Sequence, residues 1–478
     1  MRKLYLFIAL VFAMTTIAAA QTNTSIEKQI DSLFSKYNSI TPGVAISVVR
    51  DGKVILSKGY GMATLEYDIP ITPTTVFHVA SVSKQFTAFA IYLLEQQGKI
   101  ALDDDIRKYL PEVPVFEKPI TIRHLCAHTS GLRDQWALLT LAGWRMDDVI
   151  TTGQILQLVS YQKDLNFTPG TQFKYCNTGY TLLAEIIKRV SGQTFAAFIK
   201  HYIFDPLKMT NSQFYDDNDR IVKNRAYSYS KVDGIYKKKN LNYATVGPTS
   251  LLTTIEDLSK WTLNFENPVV GNKELIKRFN EVSLLDNGEP VLYSVAEGEN
   301  IYHAKGQFAR NYRGLNLFNH TGHDAGFQTY MVRFPDKRLS VIVLSNDDSF
   351  PSFKSGIDIA GLYLKNDLNK KSIEKAAVQP ETVQAWDNQN ANLKDFEGTF
   401  YCDELLATYV IKIKDGRLFA SHRRLGEIPL AVNSKKDTFS GKIEFAIEIA
   451  FIRDNNKSVT GFKVSNFGVN NLKFDRVR

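Results

Sequence analysis

The apolar residues of this chain change period along its length, and those changes mark its parts. Gly43 to Val49 is an almost unbroken β-rich apolar run, Arg50-Asp51-Gly52 turns it, and Val54 to Leu56 returns. That pattern predicts a β-hairpin. A second hairpin is predicted far downstream, where Thr329 to Phe334 and Leu339 to Leu344 are joined across Pro335-Asp336. Helical spacing fills the interval, at Ser83 to Gln97, Ile155 to Tyr161, Tyr180 to Val190 and Ile255 to Phe265, and a short amphipathic helix is expected at Ser25 to Tyr37. Strands at both ends with helices between predict an α+β domain whose terminal strands share one sheet.

The texture changes after Leu364. Lys365 to Asn392 is rich in Asn, Lys, Gln and Glu around Pro380 and reads as a helix end and a linker. Beyond it, Tyr409 to Lys414 alternates with period two and turns at Asp415-Gly416 into Arg417 to Ala420. Phe445 to Arg453, Val459 to Val464 and Leu472 to Phe474 then follow as short strands. A small C-terminal all-β domain is expected, a sandwich or a lipocalin-like barrel. It holds no catalytic constellation, so a structural or substrate-gating role is expected of it. At the other end, Arg2-Lys3, the apolar stretch Leu4 to Ala13 and Ala18-Ala19-Ala20 have the three parts of a secretory signal peptide. The apolar stretch is shorter than the ~20 residues that span a bilayer. The expected organisation is a signal peptide over 1–20, the α+β domain over 21–365, a linker over 366–392 and the β domain over 393–478. The mature chain would begin near Gln21 and work in the periplasm or outside the cell, without stable membrane insertion.

Composition mainly excludes. The formal charge of +8 falls to +6 without Arg2 and Lys3, and no basic run alternates with stacking aromatics, so nucleic acid is not an expected partner. Cys126, Cys176 and Cys402 can close at most one pair and cannot form a disulfide framework. No Gly-x-Ser-x-Gly elbow is present.

The chemistry emerges from three short motifs taken together. Acyl transfer needs a nucleophile, a base within reach and donors for the oxyanion. Serine three residues before lysine on a helix meets the first two needs, because such residues share a face. The chain has five Ser-x-x-Lys matches, starting at Ser25, Ser81, Ser160, Ser228 and Ser372. Only Ser81 leads from an apolar approach, Val76 to Ala80, into a strongly apolar helix, Ser83 to Leu94. Burial there would push the Lys84 ammonium below its ordinary value of about 10.4, toward a useful base. The chain contains no Ser-x-Asn and one Tyr-x-Asn, Tyr175-Cys176-Asn177, set between the loop signal Pro169-Gly170-Thr171 and an apolar helix. His320-Thr321-Gly322 precedes the second hairpin, where a strand edge can present a ring, a hydroxyl and a glycine. Lys354-Ser355-Gly356 and His128-Thr129-Ser130-Gly131 are rival matches, but neither leads into a strand.

In this order the three motifs resemble the family of class C β-lactamases, penicillin-binding proteins, serine D-peptidases and related carboxylesterases. Thr121 to Leu132, Pro206 to Met209 and Gly247 to Trp261 are similar to that family as well, over roughly residues 25 to 365. The resemblance implies a β-lactamase/transpeptidase-like antiparallel sheet flanked by helices. It implies Ser81 as nucleophile, with Lys84 and Tyr175 sharing proton transfer as neutral lysine or phenolate. It implies Asn177 bonded to Lys84 and to the substrate amide, His320, Thr321 and Gly322 as substrate-binding, and an oxyanion hole from the backbone N–H groups of Ser81 and His323. No cofactor or metal is implied, and the partner is a small ester, amide, β-lactam or peptidoglycan-type peptide.

Histidine at 320 departs from the lysine usual in β-lactamases. It is a weaker anchor for a carboxylate and turns the expectation toward esterase or D-peptidase activity. The alternatives are a β-lactamase or an envelope sensor that binds penicillin without turnover. Two other readings carry less. His124-x-Cys126-x-His128 has helical metal-ligand spacing, and Cys176 could be a reactive thiol without a His–Asn arrangement to activate it.

Overall fold

The computed structural model describes residues 24–369 and 392–477, so the signal peptide expected at 1–20 and most of the expected linker lie outside the described residues. Eight antiparallel strands form the main sheet. In chain order they are β1 (Val44–Arg50), β2 (Lys53–Tyr60), β3 (Leu292–Ala296), β4 (Glu299–His303), β5 (Phe308–Tyr312), β6 (Leu315–Asp324), β7 (Phe327–Phe334) and β8 (Leu339–Ser345). Their order across the sheet is β3-β4-β5-β6-β7-β8-β1-β2. The two hairpins expected from the sequence are joined through β1 and β8, in register from Val44↔Ser345 to Arg50↔Leu339.

The central strands read as unbroken apolar runs because both faces of the sheet are covered. Val44, Ile46 and Val48 pack with Ile359 of the helix Ser352–Tyr363, with Ile30 of the N-terminal helix 24–33 and with Phe34 directly after it. The alternate residues face the helix Ile255–Asn264, where the Ser47 and Ser259 hydroxyls meet at 2.8 Å. On that side lies α1 (Ser83–Gln96), buried on every face from Ser83 to Leu94. A helix buried on every face belongs in the interior of a large domain, and the polar Ser83, Lys84, Gln85 and Thr87 are buried with its apolar residues. Phe86 stacks on Trp261 at 4.4 Å, and α2 (Asn177–Ser191) packs alongside. Strands β3 to β5 were not legible in the sequence, since Leu292, Tyr293 and Val295 on the edge strand are exposed and give no alternation.

The C-terminal unit is a closed eight-stranded antiparallel barrel running from Gly398 to Arg476, and closure is made by Phe400↔Arg476 and Tyr401↔Asp475. Closure removes exposed strand edges. Aromatic rings fill the interior, with Phe400–Phe462 at 4.9 Å and Phe462–Phe474 at 4.8 Å, as expected where eight strands leave room for side chains.

The barrel docks on the segment that follows Gly131. Arg133 Nη1 donates to Glu404 Oε2 at 2.6 Å, with both side chains almost fully buried. The Asp134 N–H donates to the Gly468 carbonyl at 2.9 Å, and the Tyr409 hydroxyl donates to the Leu141 carbonyl at 3.0 Å.

Candidate active site

Ser81 sits on a tight turn, Ala80–Val82, that opens α1. Ala80 is held at φ +46°, a left-handed conformation that a non-glycine residue adopts only when its surroundings impose it. The imposing neighbour is β6. A Cβ on Gly322 would lie 2.3 Å from the Val79 carbonyl oxygen, so only glycine lets the strand press against the turn that carries Ser81. The same alternation along β6 sends His320, Gly322 and Asp324 toward one face and leaves Thr321 and His323 exposed on the other.

Lys84 lies one helical turn after Ser81, and its side chain is fully enclosed. Its three N–H donors are all used: to Ser81 Oγ at 2.9 Å, Asn177 Oδ1 at 2.8 Å and the Pro248 carbonyl at 2.8 Å. Burial pushes the ammonium down to about 7, against the opposing pull of Asp324 and Asp134. Pro248 reaches this position because Gly247, at φ +106°, lies flat on α2, where a Cβ would meet the Tyr180 carbonyl oxygen at 2.3 Å.

Asn177 is oriented by Asp134, whose Oδ2 accepts from the Asn177 backbone N–H at 2.7 Å and from Nδ2 at 2.8 Å. The second oxygen of Asp134 accepts from the Trp136 N–H at 2.9 Å. With its amide nitrogen held, Asn177 must turn its carbonyl oxygen toward Lys84. A chain Asp134–Asn177–Lys84–Ser81 results. Asp134 and the neighbouring Asp324 were not singled out from sequence; the available signal was their position two residues beyond Thr121–Leu132 and Gly322 respectively.

The Tyr175 phenol faces Ser81, and its ring lies 4.8 Å from Lys84 Nζ. Burial pushes the phenol well above its ordinary value, so the phenolate is disfavoured in the resting site. His128 clamps the loop that carries it. The Cys176 N–H donates to His128 Nδ1 at 3.1 Å, the Lys174 N–H donates to the His128 carbonyl at 3.0 Å, and the imidazole stacks on Tyr175 at 4.4 Å.

His320 lies behind Tyr175 rather than on the cleft wall. Its side chain is buried, its Nδ1 is 2.5 Å from the Thr321 carbonyl oxygen, and burial pushes it down to about 3. It is therefore neutral and presents no charge to a substrate. His323 is exposed and pairs with Asp348 at 3.0 Å. His124 turns away from His128 to Asp286, at 3.0 Å, so the two do not converge. All three cysteines are free and buried, and burial raises the Cys176 thiol to about 12, far from a thiolate.

The cleft above Ser81 encloses about 710 Å³. Ser81, Tyr175, Asn177, Thr249 and Asp324 form its floor, Trp136, Trp144 and Tyr243 one side, and Leu425, Glu444, Phe445 and Phe467 of the barrel another.

Known proteins share this organisation. Protein flp of Staphylococcus aureus (strain MRSA252) is 30% identical over 339 residues, covering 69% of this chain and 64% of the relative. A D-aminopeptidase of Brucella anthropi is 28% identical over 343 residues, covering 72% and 62%. The chain thus spans somewhat under two thirds of the length of the curated relatives it matches. An octameric penicillin-binding protein homologue from Pyrococcus abyssi has the same fold, with a TM-score of 0.62 at 23% identity over 95% of this chain and 99% of that one. The Beta-lactamase family model matches residues 30–364, the stretch that supplies the main sheet, α1 and the whole Ser81 cluster, and the chain belongs to that family.

Proposed function

We propose that the protein is an exported serine hydrolase that cleaves ester or amide bonds through an acyl-enzyme on Ser81, with esterase or D-peptidase specificity. One observation carries the reading: a lysine sealed from water, at about 7, bonded to the hydroxyl of a serine that opens onto a cleft. Neutral Lys84 takes the Ser81 proton as Oγ bonds to the substrate carbonyl carbon, and the backbone N–H groups of Ser81 and His323 receive the oxyanion. The bond to the leaving group then breaks. Tyr175, between Lys84 and the cleft, passes the proton to the departing nitrogen or oxygen. Water, deprotonated by the same pair, attacks the ester on Ser81, releases the acid and restores the serine.

Two observations favour ester and peptide substrates over β-lactams. His320 is neutral where a carboxylate would need a fixed cation, and a relative at 28% identity is a D-aminopeptidase. Export rests on the signal-like pattern of residues 1–20.

The test is intact-mass measurement of the folded protein after a fluorophosphonate, followed by a panel of aryl esters, D-amino-acid amides, D-Ala-D-Ala peptides and a chromogenic cephalosporin. A Ser81 adduct with ester or amide turnover is expected. Absence of an adduct on folded protein sinks the enzyme reading, and a stable penicillin adduct without turnover would make the protein a sensor.

A further inference from the structure

The floor of the cleft holds a carboxylate that the acyl-transfer steps do not use. Asp324 ends β6, directly after His323, and its side chain is 18% exposed. Its Oδ2 accepts from the Thr249 hydroxyl and lies 3.0 Å from His78 Nε2. Both partners are buried and both are tied to the Ser81 cluster. Thr249 follows Pro248, whose carbonyl accepts from Lys84, and His78 stands three residues before Ser81. The carboxylate is thereby fixed in place. Its second oxygen, Oδ1, receives no hydrogen bond among the described residues, and His78 is the one basic side chain within ion-pair distance of the group. Of the other charged groups lining this cleft, Arg145 pairs with Asp147, His323 with Asp348 and Lys238 with Glu66, while Lys239 and Glu444 also line it and neither lies within ion-pair distance of Asp324. A rigid, partly desolvated carboxylate with a free oxygen is unfavourable unless a donor completes it.

We propose that Asp324 is the specificity-determining residue that receives the α-ammonium of an aminoacyl substrate, so that the preferred substrates are esters or amides of amino acids with a free amino group. This rests on the Ser81 hydrolase reading and deepens it. The placement suits the chemistry, because Asp324 adjoins His323, the oxyanion donor, and an α-ammonium is one carbon from the carbonyl that the oxyanion donors hold.

The test pairs phenylalanine methyl ester, as D and L forms, with methyl 3-phenylpropanoate, which lacks only the amino group. The wild type should prefer an amino ester by about ten- to hundred-fold in kcat/KM, the range of one charge-assisted hydrogen bond. Asp324→Asn should erase that preference, read as the ratio of kcat/KM for the amino ester to that for the des-amino ester in the same variant, because loss of the Asp324 charge also acts on Lys84 and shifts both rates together. Glu444→Gln, which removes the exposed carboxylate of the barrel loop, should preserve it. Equal loss on both esters in Asp324→Asn, no wild-type preference, or a preference erased by Glu444→Gln overturns the assignment and leaves the hydrolase reading standing. If the wild type turns over neither ester and takes no fluorophosphonate, the hydrolase reading falls and this one with it. If Asp324→Asn does not fold, inhibition of wild-type des-amino ester turnover decides. Phenethylammonium should inhibit at least tenfold better than 2-phenylethanol, and equal inhibition overturns the proposal.

Discussion

The two units that meet at the cleft contribute opposite kinds of surface. The α+β domain brings polar side chains that are buried: Lys84, Asp134 and His128 are each at most 1% exposed, although such groups ordinarily stay in water. The barrel brings apolar side chains that are open: Phe467 is 48% exposed and meets Phe445 edge-on at 4.5 Å. A buried polar group must be held by partners, so the first surface is wired and rigid. An exposed ring needs none, so the second can only shape and exclude. The hydrogen-bonded cluster around Ser81 therefore belongs to one unit, and the other contributes open wall to the cleft.

The largest expected effect comes from cutting the wired side at its end. Ser81→Ala should remove turnover and fluorophosphonate labelling, a loss of about 10⁴-fold or more. Lys84→Ala should cost nearly as much, and the double variant should be no worse than the single ones, because the residues act as one unit. Additive losses measured in kcat would show instead that the lysine acts independently of the serine.

The next effect is where the two surfaces are joined. Glu404→Leu leaves the Arg133 guanidinium buried without its partner, which should cost about 3–5 kcal/mol. Arg133 precedes Asp134, whose own N–H is held by the barrel at Gly468. Loosening the barrel should therefore disturb the Asp134–Asn177–Lys84 chain. In a urea series, Ser81 labelling of Glu404→Leu is expected to fail at lower denaturant than in the wild type. An unchanged labelling midpoint would mean that the site is independent of the barrel.

The sequence carried the wired side well and the shaping side poorly, for a physical reason. Ser81, Lys84, Tyr175 and Asn177 were legible because their spacing and apolar flanks follow from a buried helix and a loop entering a cleft. The α+β class was legible because hairpins at both ends of the chain are local signals. Asp134 and Asp324 were not, since a carboxylate's value here depends on which distant groups reach it: Asn177 in one case, His78 and Thr249 in the other. The barrel's strands showed in their alternation, but nothing local reveals that loops at its rim face Ser81. His320 was placed in the right strand, yet its burial behind Tyr175 comes from packing against Phe308 at 5.0 Å, a contact between strands.

A pH profile sharpens the wired side further. Burial holds Lys84 at about 7 when folded, so its working, neutral form decreases tenfold per pH unit below that value. With a neutral ester, kcat/KM should rise with unit slope up to about pH 7 and then level. His128, His303 and His320 are all depressed by burial and should add no step there. An acid limb near 4 instead would assign the base to a carboxylate.

The smallest effect tests the shaping side alone. Phe467 is half exposed, so Phe467→Ala should leave stability within about 0.5 kcal/mol of the wild type. A substrate's aromatic acyl group packed on the ring would lose about 40–60 Å² of apolar contact, near 1–1.5 kcal/mol, which raises KM about five- to tenfold. An acetyl ester of the same alcohol cannot reach the ring and should be unaffected. The separation of KM from kcat is the informative part. Phe467 precedes Gly468, whose carbonyl accepts the Asp134 N–H at 2.9 Å, so a side chain that merely shapes the cleft and one that also tensions the Asp134 chain predict different outcomes. A change confined to KM for the aromatic ester keeps the two surfaces distinct. A fall in kcat for the acetyl ester would show that the barrel reaches into the chemistry through its backbone, and the division between wired and shaping surfaces would have to be redrawn at Gly468.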